Sequence, residues 1–186
     1  MRPTKDIYWI KVEKETEDTI KLNGVEIFRD TSYDPMKLAR QHGVVYKTPI
    51  VDSTGFDIKE GDRVWFHHFV ATENNIVEYA DEDGVYQATA SQVFLVKRGE
   101  DYIPLGHWNF VEQEVKEIET TESGLMLSHL EGDMELHGTV VIGNKELGTK
   151  EGSRVLFSKN SEYDMDIDGR SLLRMRNFDI LATYEE

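Results

Sequence analysis

Apolar residues in this chain fall in short clusters separated by glycine, proline and acidic residues, not in long stripes of helical period. The segment 7–12 is rich in β-formers. Short apolar runs follow at 43–46, 62–66 and 92–96, and again at 110–111, 139–142, 153–157, 171–175 and 179–182. Each is of strand length and bounded by turn residues, so the pattern predicts an all-β protein of barrel or sandwich type. One helical stretch is expected at 35–41, with Asp34 as cap and Pro35 in the first turn.

The runs occur twice. Ile58–Phe66 aligns with Thr149–Phe157, sharing Lys, Glu, Gly, Arg, Val and Phe at an offset of 91 (150 − 59). In the same order, Trp9–Glu13 answers Trp108–Glu112, Gly24 answers Gly124, His42-Gly43 answers His137-Gly138, and Asp83-Gly84 answers Asp168-Gly169. The offset falls from 99 (108 − 9) to 85 (168 − 83), as expected for a duplicated β-domain whose second copy has shorter loops. The Gly- and Pro-containing stretch Arg98–Gly106 reads as a short linker, giving domains at 1–99 and 106–186.

Composition narrows the function. Of 186 residues, 39% are hydrophobic, enough for a packed core, yet no run approaches the roughly 20 needed to span a bilayer. The N-terminal apolar stretch is too short for a signal peptide, so a soluble, unexported, cytoplasmic protein is expected, with no membrane partner. There is no cysteine, which removes disulfides, thiolate nucleophiles and Cys-based zinc sites. A net charge of −15 disfavours nucleic acid as partner; Arg170, Arg174 and Arg176 form only a local basic cluster.

Candidate chemistry is thin. His67 and His68 are adjacent, so on a strand they face opposite sides and make a poor metal pair. Asp164–Gly169 opens like a calcium loop but lacks the closing Glu, and a hairpin turn at Asp168-Gly169 fits better. No nucleophile–base set and no phosphate loop stands out. The expectation is a protein that is not an enzyme and uses no cofactor or metal.

The ordered motifs resemble the GroES-type co-chaperonin family. Lys150–Phe157 running through to Asp179–Ala182 is similar to its K-x-G-D-x-V-x-F strand and closing D-I-L-A strand. Arg2-Pro3 with Asp6 and the strand after it is similar to its opening segment, and Glu119–Ser128 to its mobile loop with a Gly-led apolar tripeptide. The resemblance implies two tandem partly open antiparallel β-barrels and a homo-oligomeric ring. It also implies a partner, the apical domains of a GroEL-type chaperonin, whose cage the ring caps to assist folding. The implied contact residues are Gly124, Leu125, Met126 and Leu127 in the second copy and Val25, Ile27 and Phe28 in the first. The roof hairpin of the family is shortened to Gly143–Gly148 in the second copy and altered at Pro49–Asp57 in the first.

Taken alone, Leu125–Leu127 would better suit a buried core strand, since short apolar runs are usually buried, and the alternation around Glu26 suits a half-buried one. The rival function is a structural or adaptor scaffold built from the same duplicated barrels.

Overall fold

The computed structural model describes residues 1–12, 19–22, 25–28, 40–114, 136–145, 150–159 and 163–184, with the backbone alone for 19–22 and 25–28. The predicted helix at 35–41 lies, but for its last two residues, outside them. Two compact units, Met1–Leu105 and Gly106–Glu186, divide the chain. The regular structure described is β-strand with short 3-10 turns, all of it paired antiparallel in the sheets. Among the described residues no helix is long and apolar enough to cross a membrane.

The first unit holds β1 (Ile7–Lys11), the hairpin strands β2 (Thr19–Leu22) and β3 (Val25–Phe28), β4 (His42–Lys47), β5 (Arg63–Phe66), β6 (Val85–Thr89), β7 (Val93–Arg98) and β8 (Asp101–Pro104). Its six-stranded sheet has the order β6-β1-β4-β5-β7-β8, with β2 and β3 as a separate pair. The second unit holds β9 (Trp108–Gln113), β10 (His137–Ile142), β11 (Arg154–Phe157), β12 (Tyr163–Ile167), β13 (Arg170–Arg176) and β14 (Ile180–Thr183), in the order β12-β13-β9-β10-β11-β14.

The stretch read as a linker is therefore largely a strand. Gly99, at φ +62°, opens a two-residue turn that folds β8 back on β7, with Leu95 opposite Pro104 and Val96 opposite Ile103. Lack of periodicity hid it, because a four-residue edge strand has too few positions to show alternation.

Strand alternation divides the apolar residues between two faces. Tyr8, Ile10, Val45, Val64, Phe66, Ala88 and Val96 make the first unit's core, while Trp9 points the other way to Val77 and Val85. Val111, Val140, Val155, Phe157, Leu173 and Met175 make the second core. Fully burying each such large side chain contributes about 1.5–3 kcal/mol.

The ladders give the repeat its true register. Ile10 pairs with Val45 and Tyr86; Val111 pairs with Val140 and Leu173. The equivalent of Ile10 is thus Val111, an offset of 101 (111 − 10), and Trp9 corresponds to Phe110, not to Trp108. The same correction applies at Gly84, which matches Ser171 and not Gly169, since Tyr86 matches Leu173. Offsets then fall to 95 at β4/β10 (138 − 43), 91 at β5/β11 (155 − 64) and 87 from β6/β13 through β7/β14 (173 − 86, 182 − 95). Each step is a shortened loop; between the last two strands nothing changes. Even the register breaks coincide, between Trp65 and Phe66 and between Leu156 and Phe157, as do the 3-10 turns Ala90–Gln92 and Asn177–Asp179.

The shared Lys-Glu-Gly has a local cause. Gly61 (φ +90°) and Gly152 (φ +86°) occupy the third position of a turn in which the N–H of Asp62 or Ser153 donates to the carbonyl of Lys59 or Lys150. A positive φ there is the signature of a type II turn and favours glycine. Gly61 and Gly152 also donate to Val45 and Val140, docking each turn on its sheet.

Buried polar groups differ between the units. In the second, Asn109 accepts from the Asn144 N–H at 2.8 Å and donates to Asn177 at 2.8 Å, while Asn144 donates to the Gly106 carbonyl. In the first, the matching residue is Tyr8, whose hydroxyl donates to Asp52. Asp62, 5% exposed, accepts from Arg98 at 2.6 and 2.9 Å and from the Lys59 N–H at 2.8 Å.

Candidate chaperonin-contacting loops and their stems

Each unit carries a long excursion at the same place in its topology, leaving the end of its opening strand and returning into the next strand of the sheet. In the first unit it runs from Lys11 to His42; in the second from Gln113 to His137.

Both stems are closed by glycine. A Cβ placed on Gly43 would sit 2.6 Å from the Lys11 carbonyl oxygen, and one on Gly138 would sit 2.6 Å from the Glu112 carbonyl oxygen and 2.5 Å from Val111. Real Cβ atoms do not approach backbone so closely, so only glycine lets the strands meet there. The repeated His-Gly pair is the sequence signal for these positions.

The stems differ in what clothes them. In the second unit Arg154 donates to both oxygens of Glu114, at 2.7 and 2.6 Å, and stacks over Tyr184, which also meets His137. The hydrogen bonds from Arg154 hold the Glu114 carboxyl below its ordinary value. In the first unit Lys11, Arg40, His42, Gly43, Val44 and Arg63 line a cavity of about 270 Å³ at the loop's base. The rings of His42 and Tyr102 lie tilted to that of the buried Trp65, with centroids 6.4 and 6.1 Å away, and Arg63 lies over its ring.

Of the expected contact residues, Val25, Ile27 and Phe28 stand on β3, opposite Leu22, Ile20 and Thr19 of β2, in a hairpin separate from the six-stranded sheet. Gly124, Leu125, Met126 and Leu127 lie outside the described residues.

The histidine pair departs from its expected geometry. His67 and His68 are not on a strand; they follow β5 in a turn closed by the Val70 N–H donating to His67, and their rings stack at 4.2 Å. Among the described residues no three His, Asp or Glu side chains converge in a way that could hold a metal.

Comparison with known proteins agrees with this architecture. The family described as chaperonin 10 Kd subunit matches residues 101–184. That span takes in β8, although β8 is hydrogen-bonded in the sheet of the first unit. The co-chaperonin GroES of Rhodothermus marinus is 38% identical over 77 residues, covering 37% of this chain and 77% of that protein. The co-chaperonin GroES of Hyphomonas neptunium is 32% identical over 90 residues, covering 43% of this chain and 94% of that protein. The relative from Nitrosococcus oceani, also a co-chaperonin GroES, is 29% identical over 89 residues, or 93% of its length. The all-β fold, its two six-stranded antiparallel sheets and this similarity lead to one assignment: the chain belongs to the GroES-type co-chaperonin family.

Proposed function

We propose that the protein is a co-chaperonin with two family barrels per chain, which caps a GroEL-type chaperonin ring through the loops at 12–41 and 114–136. Family membership carries the reading, and the equivalent glycine-closed stems support it: Gly43 and Gly138 close them between matching strands, β1 with β4 and β9 with β10, each pair in its own sheet. The protein works passively in the cytoplasm as part of a homo-oligomer, and its task is mechanical, to hold a lid in place and let it go.

The loop energetics fit reversible docking. Burying Leu125 and Leu127 in a partner's groove contributes about 1.5–3 kcal/mol each. Ordering the loop costs about 1–2 kcal/mol per residue fixed. One loop therefore binds weakly, and several on one assembly bind together through their high effective concentration. The test is the double substitution Leu125→Ser with Leu127→Ser. Chaperonin binding should be lost while the thermal transition stays in place. A variant that unfolds would instead place those leucines in a core, and unchanged binding would exclude this loop as the contact.

A further inference from the structure

We infer that the cavity at the base of the first loop is a binding site for a tetrahedral oxyanion of the phosphate class. Lys11, Arg40 and Arg63 bring fixed positive charge to its lining, and His42 brings an imidazole that can donate. Gly43 and Val44 complete the lining, which contains no carboxylate. These cations gather in a chain whose net charge is −15. Like charges this close repel, and an anion seated among them offsets that repulsion.

The ladders explain the convergence. Lys11 on β1 is opposite Val44 on β4, and Val44 is opposite Arg63 on β5. Directly opposed residues stand on the same side of a sheet. Lys11 and Arg63 therefore rise from one face two strands apart, about 9–10 Å between backbones, with the shorter Val44 between them. His42, two residues before Val44, shares that face, and Arg40 lines the same hollow from the chain just before β4. Arg63 is held in place: its guanidinium carbon lies 5.0 Å from the centre of the Trp65 ring, which is fully buried. A planar guanidinium fixed in this way presents paired N–H donors to two oxygens of one oxyanion. The volume of about 270 Å³ lies just below the ~300–1,000 Å³ usual for small-molecule sites. It suits a phosphate ion or the phosphoryl end of a larger molecule.

The matching row of the second unit is built differently. There Glu112 stands opposite Thr139, and Thr139 opposite Arg154. The cation of β1 is thus an acid on β9, and the Arg154 guanidinium already binds both oxygens of Glu114. In the first unit Lys11 pairs with Glu82, which is not among the lining residues. An incoming oxyanion shares Lys11 with that carboxylate and relies most on Arg40 and Arg63. Bound there, it bridges Lys11, where the first loop leaves the sheet, to Arg40, where the loop returns. Occupancy then closes the stem by charge, in addition to the close approach at Gly43.

Calorimetric titration of the full-length chain with potassium phosphate, against potassium chloride at equal ionic strength, should show one saturable site per chain. Arg63→Gln and Arg40→Gln should each weaken it about tenfold or more. Lys97→Gln is the charge control. Lys97 stands opposite Arg63 on β7 and lies over Tyr102, outside the lining, so its loss removes the same charge and should change the affinity by less than about twofold. Phosphate should also shift the tryptophan emission of the parent, and leave that of Trp65→Phe unmoved. Melting curves report whether each variant folds; should Arg63→Gln fail to, Arg40→Gln, at a position outside the strands, decides the matter. ADP that displaces phosphate would identify the phosphoryl end of a nucleotide as the source of the anion, and ADP without effect would identify the free ion. Absence of saturable phosphate binding, or equal weakening by Lys97→Gln, would overturn the inference. So would a site that takes an acidic peptide and is not competed by phosphate. The titration contains no chaperonin, so its failure and a failure of the capping proposal are separate outcomes.

Discussion

Replacing Gly138 by alanine tests the stem of the second loop. The new Cβ would lie 2.6 Å from the Glu112 carbonyl oxygen and 2.5 Å from a Val111 methyl. The methyl can rotate away, but the carbonyl belongs to the ladder in which Thr139 opposes Glu112 and Gly138 opposes Gln113. Restoring an ordinary contact needs the two backbones to part by most of an ångström at the point where the loop leaves. Overpacking of this kind costs about 1–3 kcal/mol. For a unit of this size that lowers the melting temperature by about 5–15 °C. Gly43→Ala meets the Lys11 oxygen at 2.6 Å and should cost as much in the first unit. Gly169→Ala is the control: its φ of +83° is strained for alanine, yet nothing lies within 4 Å of the added carbon. Calorimetry of the three variants decides the matter, with hydrogen exchange at Glu114 and His137 reporting on the stem itself. If Gly138→Ala melts with the parent and protects those amides equally, the glycine-closed stem is wrong.

Other outcomes follow from the buried polar groups. Asn109→Ala strands the Asn144 N–H and the Asn177 side chain and should cost about 2–3 kcal/mol in chemical denaturation. For Asp62, burial pushes the carboxyl up, but the Arg98 and Lys59 hydrogen bonds outweigh it and leave the carboxyl below its ordinary value of 3.8. A depressed folded value means that this stabilisation is complete above the ordinary value and is lost as pH falls through the folded one. Asp62→Asn should therefore destabilise at neutral pH and flatten the acid limb of a stability–pH curve below about pH 4. Tyr8 should stay protonated through alkaline titration, since burial and then its bond to Asp52 raise the phenol to about 12. Tyr8→Phe should cost about 0.5–1.5 kcal/mol in urea unfolding and remove that late-titrating phenol from the absorbance curve.

The sequence made the all-β fold class plain because its causes are local. Lys59-Glu60-Gly61 and its repeat specify one turn through a positive φ, and the apolar runs beside them specify strands. The opening strand misled because a shift of two residues keeps every side chain on its face. Matching Trp9 to Trp108 preserves the pattern, and only the partners on β4 and β10 show that Phe110 is the counterpart. The link from Asn109 to Asn144 and Asn177 joins distant stretches, so no spacing announces it. His67 and His68 looked like strand residues because β5 runs directly into them. What turned them was the His67 carbonyl accepting from Val70, a bond invisible in the pattern. The candidate contact residues were legible only by resemblance, since an apolar triplet reads alike as loop or strand.

The most direct measurement is native mass of the chain alone, then mixed with a GroEL-type chaperonin with and without ATP. A co-chaperonin should run as a discrete oligomer and shift onto the chaperonin only when nucleotide is present, with the Leu125→Ser, Leu127→Ser form left behind. An oligomer that ignores the chaperonin under every nucleotide condition would contradict the account and leave a scaffold of paired barrels in its place.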